Sequence, residues 1–148
     1  MKYIFLANLA ATLFMVGVIW VIQVVHYPLF RNVGVEEFTD YERWHSNLIT
    51  LIVGPPMLLE LATALLLLWQ RPAAMPMWMA WIGLILIGMI WLSTAFLQVP
   101  QHTILSAGFN AEAHRLLVTS NWIRTVAWSM RGGLLLWVAA KGMVLIAT

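Results

Sequence analysis

The stretch AMPMWMAWIGLILIGMIWLSTAFLQV, residues 74–99, runs through the chain without one charged side chain. A helix that crosses a bilayer needs about 20 mostly apolar residues, because every backbone N–H and C=O must be paired within the hydrocarbon. This segment exceeds that length. Working outward, residues 47–69 form a second apolar window upstream, residues 3–25 another at the start, and residues 116–147 a fourth downstream. Proline marks the expected breaks: Pro28 ends the first helix, Arg71-Pro72 turns the chain between the second and third, and Pro100 closes the third. The expected fold is all-α. It is a four-helix transmembrane bundle in up-down-up-down order, one domain over residues 1–148, with helices at about 3–29, 38–70, 74–99 and 111–146.

Composition agrees. With 62% hydrophobic and 9% charged residues, against roughly a quarter charged in a soluble domain, a soluble globular protein is excluded. Eight Lys and Arg against six Asp and Glu leave no basic stripe to grip nucleic acid. Cysteine is absent, which excludes disulfides, thiolate metal sites, iron–sulfur clusters and covalent c-type haem. The first window begins beside Lys2 like a secretory signal, but its apolar stretch runs past the usual ~7–15 residues without a convincing cleavage site, so it reads as the first transmembrane helix. Up-down order puts both termini on one side with Lys2, Arg71 and Lys141, opposite Arg31, Arg43 and Arg115. Three against three does not set the orientation; cytoplasmic termini are the reading adopted. No internal repeat or low-complexity tract is visible.

Polar groups inside a span are costly, so their angular positions carry the most information. On the fourth helix His114, Asn121, Arg124, Trp128 and Arg131 fall along one face at coiled-coil spacing, and on the first Asn8, Thr12, Ile19, Gln23 and His26 do the same. The third offers Trp91, Thr94, Gln98 and Gln101, with His102 just beyond. The second offers Tyr41 and His45 at one end, the Gly54-Pro55-Pro56 break in the middle, and Glu60 with Thr63 deeper. Four stripes predict one polar seam inside the bundle.

Each helix brings one histidine, His26, His45, His102 or His114, to the same side of the membrane. Imidazoles ligate metal and haem and exchange protons near neutrality. An interfacial belt with Tyr27, Tyr41 and Trp44 accounts for the same positions. Glu42 and His45 have the Glu-x-x-His spacing of di-iron bundles, yet no second copy follows, so no tightly bound metal is expected. Deeper in the bundle, Glu60 lies about 22 Å along its helix from His45 and Arg131 about 25 Å from His114. Matching depth predicts a structural ion pair between them. Arg124, about 15 Å below His114, is left without an acid and free for a ligand oxygen. Trp128, between the two arginines, is the better aromatic wall for a flat ligand.

The run Val99-Pro100-Gln101-His102-Thr103-Ile104-Leu105, followed by Asn121-Trp122-Ile123-Arg124-Thr125 and Trp128, resembles the anthrone-oxygenase-like family of small four-helix integral membrane proteins, in which a Val-Pro segment precedes Asn-x-x-Arg-Thr. The resemblance implies oxidation of a polycyclic phenolic substrate by molecular oxygen without a bound metal, and marks Asn121, Arg124 and Thr125. The chain departs from that pattern at His102 and in its acidic 36–42 loop, so the substrate is not carried over.

Together these readings predict a membrane-embedded oxidoreductase or oxygenase for a lipophilic aromatic or quinone-like molecule lying between the third and fourth helices. His45 or His114 accepts a phenolic proton, Arg124 and Asn121 stabilise the oxyanion, and Trp128, Thr125, Gln98, His102 and His26 line the substrate. Two rivals stand beside it. One is a non-catalytic subunit of a larger respiratory or photosynthetic membrane complex, with Gly83, Gly88 and Ala95 as a face for other membrane subunits; the other is a haem- or copper-binding protein using its histidines.

Overall fold

In the computed structural model, residues 1–147 are described, with side chains through residue 143. Helix α1 (Lys2–Val21) passes through a π-helical turn, Ile22–His26, into α2 (Tyr27–Leu29) and a 3-10 turn, Phe30–Asn32. Helix α3 spans Phe38–Leu67. Helix α4 (Met77–Ser93) passes through a second π-helical turn, Thr94–Gln98, into α5 (Val99–Leu105), and α6 covers Ala111–Ala147. No strand occurs among the described residues. Three continuous rods, Lys2–Asn32, Phe38–Leu67 and Met77–Leu105, are long and apolar enough to cross a membrane.

Arg71-Pro72 lies in the connection between α3 and α4 as expected, but Pro28 and Pro100 do not end their rods. Pro28 and Pro100 each lie two residues beyond a π-helical turn, and the helix continues past both. A helical proline has no N–H for the carbonyl four residues back and its ring crowds that carbonyl. Here those carbonyls belong to Val24 and Phe96, in the middle of the two π turns. The wider turn shifts the bonding by one residue: Tyr27 N–H donates to Ile22 O, and Val99 N–H to Thr94 O. Pro55 and Pro56 likewise sit inside an unbroken α3.

Each π turn also rotates the chain beyond it. Ile22 and Tyr27, five residues apart, both point inward, and Ser93 and Gln98, also five residues apart, meet with Ser93 Oγ donating to Gln98 Oε1 at 3.0 Å. Such turns re-aim side chains at functional sites.

Helix α1 packs against α3 and α6, α4 against α6 and α3, and α5 against α6 and α3. One apolar cluster holds Met15, Ile19, Phe30, Ile90, Leu117 and Trp128; a second, nearer the chain start, holds Phe5, Leu67, Met79 and Leu135. Phe14, Leu51, Ile85 and Phe96 face outward. In lipid such residues gain little by packing inward, so close contact and hydrogen bonds between helices carry more of the specificity. Gly83, on the expected partner face, is buried instead: its carbonyl accepts Arg131 Nη1 at 2.8 Å, and an added Cβ would stand 2.9 Å from that nitrogen.

Candidate functional site

The buried polar residues form three tiers along the interior. In the deepest, Glu60 on α3 and Arg131 on α6 pair at 3.3 Å, both about 2% exposed. Thr12 donates to Glu60 Oε1 at 2.5 Å and Trp128 Nε1 to Oε2 at 2.9 Å. Arg131 Nη2 donates to Asn8 Oδ1 at 2.7 Å, and Asn8 Nδ2 donates to Thr63 Oγ1 at 2.7 Å. Trp128 is therefore engaged with Glu60 in the core.

The middle tier joins α6 to both π turns. Asn121 donates to Gln23 Oε1 at 2.8 Å and receives Arg124 Nε at 2.8 Å; Arg124 Nη2 makes a further short bond to the same Asn121 oxygen. Arg124 also donates to Tyr27 Oη at 3.2 Å and, more weakly, to Thr94 Oγ1 at 3.4 Å. Thr125 donates to Gln23 Oε1 at 3.3 Å, and Gln98 Nε2 to Ser120 Oγ at 3.0 Å. No carboxylate is among the hydrogen-bond partners of Arg124, which is 7% exposed. Its charge is spread over neutral oxygens.

The third tier gathers all four histidines around Phe30, a fully buried ring whose centroid lies 5.3 Å from His26, 5.1 Å from His45, 6.5 Å from His102 and 6.3 Å from His114. His26 Nε2 and His45 Nδ1 share a hydrogen bond of 2.8 Å. His102 bridges two partners, Nδ1 to Glu42 Oε1 at 2.6 Å and Nε2 to Tyr27 Oη at 3.0 Å. The continuous order Glu42, His102, Tyr27, Arg124 follows. His114 Nε2 is bonded to the Tyr27 carbonyl at 2.8 Å. Two atoms stand apart: Glu42 Oε2 and His45 Nε2 are buried without a hydrogen-bond partner. Such atoms forgo about 1–3 kcal/mol each, a cost that concentrates where chemistry is done.

A groove of about 790 Å³ opens between α1 and α3. Leu13, Gly17, Val21, Leu48 and Ile52 make its apolar wall, and His26, Tyr41, Trp44 and His45 its polar end. Of the residues expected to meet substrate, His26 and His45 line it. Asn121, Thr125, Trp128 and Arg124 are spent on one another or on Glu60, Gln23 and Tyr27 within the bundle, Gln98 is spent on Ser93 and Ser120, and His102 and His114 are not in the groove lining. This groove lies between α1 and α3, whereas the sequence points to the third and fourth helices.

Glu42 and Tyr27 were the residues sequence reasoning passed over, as half of a di-iron spacing and as part of an aromatic belt. The available signal was that Glu42 and His45 stand one turn apart on the face of α3 that His102 meets. Among the described residues no group of three or more His, Asp or Glu is placed to hold a metal ion. Compared with known proteins, the chain matches no family model, no curated protein and no solved structure.

Proposed function

We propose that the chain is a multi-pass membrane protein of four helices in up-down-up-down order, α6 crossing beside the three apolar rods and both termini on the cytoplasmic side. We further propose that it is an oxidoreductase of the oxygenase type, taking a lipophilic aromatic or quinone-like molecule from the bilayer into the α1/α3 groove. The observation that carries this reading is His45: a buried imidazole with an unpartnered Nε2, hydrogen-bonded to His26, at the polar end of a cavity otherwise lined by hydrocarbon. A cavity of that size with a few convergent polar groups suits a small lipophilic ligand.

In this reading the flat body lies along Leu13, Gly17 and Ile52, and the polar edge meets Tyr41, His26 and His45. The imidazole pair removes a proton from a phenol or an activated methylene. The resulting anion reacts with dioxygen, the carbon being oxidised to a carbonyl as one oxygen atom leaves in water. Arg124, a cation bonded to Tyr27 behind the histidines, favours negative charge at this end.

The test uses anthrone, a fused aromatic ketone with an acidic methylene, added to the full chain in lipid nanodiscs. Binding is read from quenching of tryptophan fluorescence, since Trp44 lines the groove, and turnover from oxygen uptake. An added Cβ at Gly17 meets nothing within 4 Å, so Gly17→Leu fills the groove without disturbing the core. Wild-type protein binds and oxidises anthrone, and Gly17→Leu weakens binding by on the order of tenfold or more, about 1.4 kcal/mol. Equal binding by the two proteins overturns the groove assignment; binding without oxygen uptake overturns the oxygenase reading.

A further inference from the structure

A proton taken by His45 or His26 needs a way out, because the groove wall is hydrocarbon. On the other face of α3 lies a cleft of about 300 Å³ between α3 and α5, with Ser46, Thr50, His102, Thr103 and Ser106 in its lining. Ile49 lines both the cleft and the groove, so the two stand back to back across one helix. Their chemistry differs sharply: the groove is apolar to its histidine end, while the cleft is rich in hydroxyls.

Glu42 stands between them. Its Oε1 accepts Ser46 Oγ at 3.0 Å and meets His102 Nδ1 at 2.6 Å, and both of those partners line the cleft. Its Oε2 is unpartnered and buried, as is the Nε2 of His45, one turn along α3. The His45 ring centroid lies 5.4 Å from that of His102. A fully buried carboxylate with one oxygen tied to the cleft and the other free, beside an imidazole with one nitrogen tied to the groove and the other free, has the parts of a relay.

We propose that Glu42, with Ser46 and His102, is the proton exit of the groove, carrying protons from the His26–His45 pair across α3 to the cleft. This rests on the groove reading above. The pair takes H⁺ from a C–H or O–H of the bound molecule, leaving its anion; a turn of the Glu42 side chain brings its free Oε2 within reach of His45 Nε2, Glu42 accepts H⁺ from the imidazolium, and the carboxyl passes it through Ser46 Oγ to water in the cleft while His102 Nδ1 holds Oε1 in place. The reverse order returns a proton to the anion. No electron moves in these steps, so no oxidant is required. Glu42 acts through His45 and is a positioning and relay group. Tyr27 Oη, itself held by Arg124, meets the far nitrogen of His102 and fixes its ring.

The experiment is anaerobic exchange of the anthrone methylene hydrogens for deuterium by the full chain in nanodiscs in D₂O, read by mass spectrometry, with binding measured on the same samples. Wild-type protein accelerates exchange above free anthrone. Glu42→Gln keeps the shape of the side chain but does not relay a proton; it binds anthrone like wild type and exchanges slower by on the order of 10- to 100-fold. His102→Ala behaves likewise and regains rate when imidazole is added, because the cleft admits a small base, an effect a purely structural loss would not show. Should Glu42→Gln fail to fold, Ser46→Ala and His102→Ala carry the test. Wild-type exchange rates in variants that bind normally overturn the relay and leave the groove standing. Wild-type protein that binds anthrone without exchanging it overturns the base role of the imidazole pair, and the relay with it.

Discussion

Around Glu60 and Arg131 each side-chain polar group finds a partner, whereas about 22 Å along α3 the histidine end leaves Glu42 Oε2 and His45 Nε2 without one. Both regions place ionisable side chains in an apolar bundle, and the physics of each is the same: a polar group removed from water must be paired or it is costly. The deep cluster answers that demand completely. It ties α1, α3, α4 and α6 together through Asn8, Thr12, Glu60, Gly83, Trp128 and Arg131, and nothing is left over to bind a ligand. The histidine end answers it in part, and the remaining valences lie between a groove and a cleft. Completion marks locking, and incompletion is what the proposed chemistry uses.

The largest effect expected from this contrast is at Glu60. Glu60→Leu strands the Arg131 guanidinium and the Trp128 N–H, and should cost on the order of 3–5 kcal/mol in SDS-induced unfolding from mixed micelles. Glu60→Leu with Arg131→Leu should recover much of that loss, since an uncompensated buried charge is worse than none. Additive losses in the cycle would break the assignment of this region as a lock.

Gly83→Ala probes the same lock from α4. The new Cβ would press on Arg131 Nη1 at 2.9 Å, and that nitrogen is held by the Gly83 carbonyl at 2.8 Å, so it has little freedom to retreat. A loss of about 1–3 kcal/mol is expected. It should largely vanish in an Arg131→Leu background, because the clashing group is gone. A loss that persists there places the strain elsewhere on α4.

Depth and spacing make the interior face of each helix readable. Asn8, Thr12, Ile19 and Gln23 follow at steps of four, seven and four and all are buried, and Glu60 and Arg131, level along the membrane normal, stand 3.3 Å apart. Two things escape that reading. The π turns add a residue that spacing rules for an α-helix do not contain, so Tyr27 turns into the bundle and Ser93 reaches Gln98. The groove is invisible for a different reason: Leu13, Val21, Leu48 and Ile52 are apolar residues that look the same whether they face lipid or a ligand. Hydrophobicity cannot separate two surfaces that both exclude water.

Arg124 lies between the two regions and tests where the boundary falls. Arg124→Leu leaves Asn121 Oδ1 and Tyr27 Oη short of a donor, a cost of about 1–3 kcal/mol, offset in part by removing a buried cation whose hydrogen-bond partners include no carboxylate. A net loss of about 1–2 kcal/mol is expected in the same unfolding assay, below that of Glu60→Leu, together with slower anthrone turnover. A loss equal to that of Glu60→Leu would move the middle tier into the lock.

The smallest stability effect should come from the residue with the largest effect on chemistry. His45 Nδ1 has His26 as its one hydrogen-bond partner, while its Nε2 is buried with none. His26 is half-buried and lines the groove, so on losing His45 its ring can turn toward the groove mouth and is not stranded. Replacing an imidazole that carries an unfilled nitrogen by a side chain of similar volume without polar atoms removes a desolvation cost along with one hydrogen bond. His45→Leu should therefore change unfolding stability by less than about 1 kcal/mol in either direction, while abolishing deuterium exchange of anthrone and retaining a bound ligand in the groove. Measured beside Glu60→Leu, the two variants should invert: one loses the fold and the other the proton transfer. If His45→Leu unfolds as readily as Glu60→Leu, its free valence is compensated by packing, and the histidine end is a second lock.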